Sequence, residues 1–540
     1  MSIPIGRRSV VLTATGGLVA TGLGAGARAQ GTASAVMETT GGKVRGSAAG
    51  GISCFKGIPY AASTAGSSRF LPPAPAASWP GVRDAITFGS SAPQLPASAD
   101  PLSSWYNALQ PISEDCLSLN VWTRGATGKR PVMVWLHGGA WVSCAGSAPG
   151  FDGSVLARDG DVVVVTINHR LNLFGYIKLD DPDERFAQSG NAGVLDMVAA
   201  LRWVRDNAAA FGGDPGNVTI FGQSGGGAKV SALLACPAAR GLFHKAIAQS
   251  CSGSLRLTPP EEAAALAHGL AKGLGIDRPT AAALQAVPAD KLIPLMKGMP
   301  PVFRPVLDGV TFPANPFDPK APDGAGNVTT MFGNAATECT LYMAADMANF
   351  SLDSAEVARR LGRFLRTDPA ATARIVDAYR ATMPAATPSQ IMAAVTTDYT
   401  YRRSTTKEAA LQSAAARAPV YTYVFDWRTP VRGGVLQSPH TSEVPFVFGT
   451  APAAAGLVGA GSDIAPLTRM MVAAWSAFAH TGNPSNPHLP AWPRYEAKKR
   501  STMLLSRESR VSGNPDGIRR EALADLAPFE YSMPVNYPHA

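Results

Sequence analysis

The sequence predicts an α/β fold: a large, mostly parallel central sheet with helices on both faces. Three observations predict it. Apolar runs alternate with amphipathic segments through the middle of the chain, the pattern of parallel strands joined by crossover helices. Two of those runs end in glycine-rich turns, His137-Gly138-Gly139-Ala140-Trp141 and Gly222-Gln223-Ser224-Gly225-Gly226. Only 16% of the 540 residues are charged, against 46% hydrophobic. Soluble domains carry about a quarter charged residues, so this composition excludes intrinsic disorder and suits a sheet covered on both faces.

Residues 1–29 read as an export signal. Arg7 and Arg8 stand before Ser9-Val10-Val11-Leu12, a twin-arginine pattern, and a Gly/Ala/Val/Leu stretch ends at Ala27-Arg28-Ala29, an A-x-A cleavage site. The expected mature chain begins near Gln30, carries no membrane anchor, and is periplasmic or secreted. Its formal charge falls from +9 to about +6 with the loss of Arg7, Arg8 and Arg28.

Pro131–Leu136 is a buried strand, Asp161–Ile167 a second, Val218–Phe221 a third and Ala246–Gln249 a fourth. Between the second and third, Val194, Leu195, Val198, Leu201 and Val204 recur at helical spacing within 192–211. Residues 255–430 read as more helical, with helices at 261–274, 354–365 and 369–383 forming a cap or wall of a pocket. Strand character returns over 420–427 and a helix over 467–481. A length of 540 would suggest three or four domains at ~150 residues each. No linker breaks the chain, so residues 30–540 are read as one domain.

Gly222–Gly226 fits G-x-S-x-G. It follows a strand and precedes a helix-like 229–234, the context that forces a serine into a sharp, exposed elbow. Ser224 is therefore the candidate nucleophile. The loop after Leu136 can aim backbone N–H groups at a developing oxyanion, with Gly139, Ala140 and Gly225 as donors.

These motifs, together with Phe55–Ala61, Arg69-Phe-Leu-Pro-Pro73, Glu114–Trp122, Asn168-His-Arg-Leu171, Phe211-Gly-Gly-Asp-Pro215, Gly241-Leu-Phe-His244 and Thr481-Gly-Asn-Pro484, make the chain resemble the type-B carboxylesterase/lipase family over about residues 41–496. That family also contains the cholinesterases. The resemblance implies an α/β-hydrolase fold and a Ser-His-Glu triad of Ser224, His440 and Glu338, no metal and no cofactor. It also implies a small-molecule ester as partner. Ser250 is similar to a family serine that hydrogen-bonds the acid.

The sequence departs from the family in three places. Gln223 stands where the residue before the nucleophile is usually Glu, which weakens a cationic substrate and admits an anionic or neutral acyl group. Ala140 replaces a glycine. Cys144, Cys251 and Cys339 replace family glycines, and a Cys251–Cys339 disulfide is expected because Ser250 and Glu338 should be neighbours. Trp105 lies where cholinesterases place a ligand-binding tryptophan, and reads equally as a packed loop aromatic.

A narrower resemblance, in length and export signal, is to the bacterial fumonisin esterase branch, which implies tricarballylate side-chain esters as substrates. A general short-chain esterase or lipase is the alternative. A non-catalytic cholinesterase-like binding protein is the reading from another class, and the presence of all three triad residues argues against it. Lys and Arg are scattered without a basic helix, so the positive charge does not indicate nucleic acid. The sequence leaves the oligomeric state open.

Overall fold

The computed structural model describes residues 32–251, 256–297, 302–415 and 417–529. The expected export signal and its cleavage site lie outside the described residues.

Among the described residues thirteen strands form one sheet. They are β1 Thr32–Thr39, β2 Gly42–Ala49, β3 Ile52–Pro59, β4 Val82–Asp84, β5 Ser118–Thr123, β6 Arg130–Leu136 and β7 Val163–Ile167. Then come β8 Gly213–Gln223, β9 Lys245–Gln249, β10 Thr329–Ala335, β11 Val420–Phe425, β12 Thr502–Leu505 and β13 Arg510–Ser512. The spatial order is β1-β2-β3-β5-β7-β6-β8-β9-β10-β11-β12-β13, with β4 beside β2. From β7 to β12 the neighbours are parallel, while β1, β2, β3, β5 and β7 pair antiparallel, as do β12 and β13.

The apolar strands bury both faces, and their alternation divides the core. Val132, Val134 and Leu136 of β6 face one cluster, with the helix Ala192–Asn207. Met133 and Trp135 face the other, with the helix Ile464–Thr481. This is the two-residue period of a strand read on two sides. Two of the sequence landmarks meet here as well. Arg69 grips Glu114 through two bonds of 2.6 Å, both residues shielded from solvent, a bidentate geometry only a guanidinium supplies.

The helical wall over the sheet's carboxyl edge is Ser354–Leu365, Pro369–Thr382 and Pro388–Thr397, packed in a third core cluster. Asp353, Asp368 and Thr387 each accept a backbone N–H at their helix starts, which sets where these helices begin. A π-helical turn, Asp398–Arg402, joins the third helix to Arg403–Ala415. Residues 255–430 are less purely helical than expected, because they also supply β10 to the middle of the sheet. Thr329-Thr-Met-Phe-Gly-Asn-Ala335 has no strand-like alternation, and it is a strand because β9 and β11 pair with it on both sides. Among the described residues no helix is long and apolar enough to cross a membrane.

Candidate active site

The carboxyl ends of adjacent parallel strands deliver the candidate residues, as this class of sheet dictates. At the end of β8 the chain reverses at Ser224, whose φ of 60° and ψ of −123° lie outside the regions open to most residues. Such a conformation costs about 1–3 kcal/mol and persists only where the surroundings enforce it. Here the Ser224 N–H donates to the Gln249 carbonyl at 2.9 Å, and the Ser224 carbonyl accepts from Ala228 at 3.0 Å to start the helix Gly225–Ala235.

Close approach explains the glycines. A Cβ on Gly226 would lie 2.0 Å from the Leu136 carbonyl oxygen, and one on Gly225 would lie 2.2 Å from that of Ala140. The elbow is thus pressed against the loop after β6. That loop turns through two left-handed residues, Gly139 at φ +73° and Ala140 at φ +51°.

Ser250 follows β9, and its N–H donates to the Gly333 carbonyl at 2.6 Å. Its hydroxyl donates to Glu338 Oε1 at 2.6 Å, and the Ala335 N–H donates to the same oxygen at 2.7 Å. The other oxygen, Oε2, lies 2.5 Å from His440 Nδ1. The His440 backbone N–H donates to the Glu338 carbonyl at 3.1 Å. With Nδ1 on the carboxylate, Nε2 is left with its lone pair for a proton. Ser224, His440, Gly139 and Ala140 line one cavity of about 260 Å³.

The carboxylesterase family model matches residues 33–521. The chain is 37% identical over 500 residues to the para-nitrobenzyl esterase of Bacillus subtilis, covering 90% of this chain and 98% of that one. It is 34% identical over 503 residues to the phenmedipham hydrolase of Pseudarthrobacter oxydans, covering 89% and 98%. A crystal structure of a Geobacillus stearothermophilus carboxylesterase superposes with a TM-score of 0.79 at 39% identity, covering 90% of this chain and 99% of that one. The chain belongs to the carboxylesterase family. It has the α/β-hydrolase fold of those neighbours and is an ester hydrolase.

Gln223 of this esterase is fully buried. Its amide nitrogen lies 3.3 Å and 3.5 Å from the two ring nitrogens of His440, and its oxygen accepts from the Tyr106 hydroxyl at 3.2 Å. Trp105 is a packed aromatic: it is 2% exposed and donates to the Leu102 carbonyl at 3.0 Å. Its neighbour Tyr106 is the residue that reaches the cavity, alongside Tyr342 and Tyr401, whose rings flank His440 at 5.7 and 4.8 Å. None of these tyrosines stood out in the sequence. Adjacency to Trp105 was the available signal for Tyr106.

A second cavity, of about 500 Å³, shares Tyr106, Gly139 and Ala140 with the first and extends to Leu95, Val142, Met296 and Phe303. Among the described residues lining these two chambers there is no Lys, Arg, Asp or Glu. A further cavity that shares Leu95 and Ala108 with the second carries charge, with Asp290 and Lys297 in its lining. Glu443, three residues after His440, is fully buried, its Oε1 accepting from Gln249 at 3.3 Å. Burial and the negative charge of Glu338 hold its carboxyl up, on the protonated side.

The expected Cys251–Cys339 bridge is not formed, and all six cysteines are thiols. Ser250 and Glu338 are neighbours, but the chain diverges beyond them. Cys251 enters the core cluster beside Ser231 and Glu408, whereas Cys339 enters the third cluster, beneath the helical wall.

Proposed function

We propose that this esterase hydrolyses neutral carboxylic esters through an acyl-enzyme on Ser224. His440 Nε2 takes the hydroxyl proton as Ser224 attacks the ester carbonyl. Glu338 holds the imidazole in the required tautomer and stabilises the imidazolium. The N–H groups of Gly139, Ala140 and Gly225 receive the oxyanion. The alcohol leaves with the proton from His440, and water attacks the acyl-enzyme by the same route. The observation that carries this reading is the single cavity shared by Ser224 and His440, with His440 tied to a fully partnered Glu338.

Ser224→Ala tests it. Hydrolysis of p-nitrophenyl butyrate should fall on the order of 10⁴-fold or more, with the p-nitrophenol burst lost. Full activity in that variant would overturn the mechanism.

The uncharged chambers support a neutral acyl and alcohol. The name of the para-nitrobenzyl esterase points the same way. A tricarballylate acyl group would bring free carboxylates, and the two chambers offer no described cationic side chain to meet them. Tricarballylate release from fumonisin B1 at a rate matching p-nitrophenyl butyrate would reverse this order. We also propose export through the Arg7-Arg8 signal. A double Lys substitution there should leave the activity in the cytoplasmic fraction.

A further inference from the structure

Lys229 has no part in the mechanism above. It sits five residues after Ser224 on the helix Gly225–Ala235, and its side chain is fully buried. Its ammonium donates to the His137 carbonyl at 2.8 Å and to the Gly138 carbonyl at 3.4 Å, with the Trp141 ring centroid at 5.6 Å. Buried ammonium groups are costly unless paired with a counter-charge. Among the described residues no ion pair joins Lys229 to a carboxylate. The groups that face it are the Cys144 thiol and the imidazoles of His137 and His169, which stack at 4.8 Å. Burial pushes the Cys144 thiol up to about 12, and burial with the Lys229 charge pushes both imidazoles well below their usual range. All three are therefore neutral near pH 7, and the lysine charge is uncompensated.

The carbonyl that Lys229 approaches on Gly138 belongs to the same peptide group as the Gly139 N–H. A cation on the carbonyl draws density from the amide nitrogen and makes the N–H a stronger donor. His137 Nδ1 lies 3.1 Å from the same oxygen, and the tautomer with Nδ1 protonated would add to the pull. We propose that Lys229 is a positioning residue of the oxyanion loop, its ammonium fixing the His137–Gly139 backbone and strengthening the Gly139 N–H toward the developing oxyanion. The proposal rests on the reading of Gly139, Ala140 and Gly225 as oxyanion donors. Burial lowers the Lys229 ammonium from 10.5 to about 7, so the charge titrates within the working range. The sign is definite: the active form is the protonated one, and turnover falls as pH rises through that value.

The test is kcat and KM for p-nitrophenyl butyrate from pH 6 to 10, in wild type, Lys229→Met and Lys229→Arg. Lys229→Met should lower kcat roughly 10- to 100-fold below pH 7 with KM within about threefold, and should lack the alkaline fall. Lys229→Arg, charged throughout, should extend the wild-type plateau to pH 10. A Met variant with wild-type kcat, or with a loss that keeps the wild-type pH profile, would overturn the proposal, since packing alone would then explain the lysine. Should the variants fail to fold, the wild type suffices. A thionoester presents sulfur, a poor acceptor, to the same donors, so its alkaline fall should be smaller than that of the ester. Equal falls would overturn the proposal. If Ser224→Ala retained turnover, the underlying reading and the lysine's role would fall together. An inactive Ser224→Ala with an indifferent Lys229→Met would sink only the latter.

Discussion

The two flanks of the proposed nucleophile Ser224, one toward the proposed acid and one toward the proposed oxyanion donors, are built by opposite means. On the acid flank, Glu338 gives Oε1 to Ser250 and Ala335 and Oε2 to His440, so both carboxylate oxygens are partnered. On the oxyanion flank, bare backbone is shaped by left-handed turns and by contacts at which no Cβ fits. The first depends on which side chains are present. The second depends on which are missing. A change of functional group should therefore damage the acid flank, and an added methyl should damage the oxyanion flank.

The largest effect should come from Glu338→Gln. It preserves shape but cannot hold Nδ1–H on a charged acceptor, so kcat should fall by about 10⁴-fold while circular dichroism stays unchanged. Next is Gly225→Ala. Its Cβ would meet the Ala140 carbonyl oxygen at 2.2 Å and Cα at 2.4 Å, and displacing that loop should cost about 10²–10³-fold in kcat, the value of one oxyanion donor. Adding Ala140→Gly, which frees the opposing backbone, should recover part of that loss in a double-mutant cycle. Ser250→Ala removes one of three bonds to the acid. It should cost about 1.5–3 kcal/mol in urea melts, the range for a bond to a charged group, with kcat reduced about tenfold.

Glu408→Gln should have the smallest effect on turnover, because this carboxyl lies outside both chambers, bonded to Ser231 at 2.5 Å. Its signature is stability against pH. Burial raises the folded-state carboxyl from 4.5 to about 7. The folded protein thus holds a proton that the unfolded chain has lost, and stability falls as pH rises through that window. The cost should reach about 3 kcal/mol above pH 7. The Gln variant should flatten this slope in denaturant melts at pH 5 and pH 8, with kcat within about twofold. A shift in kcat comparable to that of Ser250→Ala would break the contrast between site and scaffold.

The same contrast explains what could be read from the sequence. β6, β7 and β9 announced themselves as apolar runs, and the helix Ser354–Leu365 matches the expected 354–365, with Asp353 capping it. Local signals sufficed because propensity, patterning and capping agreed. β8 is longer than the expected 218–221, and Asp161, expected in a strand, instead ends the helix Ser154–Gly160 in a left-handed turn. At the site, the glycine turns were visible as local motifs. Glu338 and His440 lie 102 residues apart and Ser250 lies 88 from Glu338, so only the family resemblance could bring them together. Lys229 and Tyr106 act through contacts made across the fold, which no local pattern encodes. The cysteine pairing failed for a related reason. Nearness of Ser250 and Glu338 says nothing about where the next side chain points.

Gln223, Gln249 and Gly333 lie side by side in β8, β9 and β10. Ser224 and Ser250 each stand one residue past that row, and the acid turn begins just beyond it. Slipping any of the three strands by one residue would turn its side chains to the opposite face. A slipped sheet would still count as folded by circular dichroism or by compactness, but it could not bring serine, histidine and glutamate together. Turnover is therefore a ruler laid across the middle of the sheet, and the activity regained on refolding counts molecules whose strands have zipped in alignment.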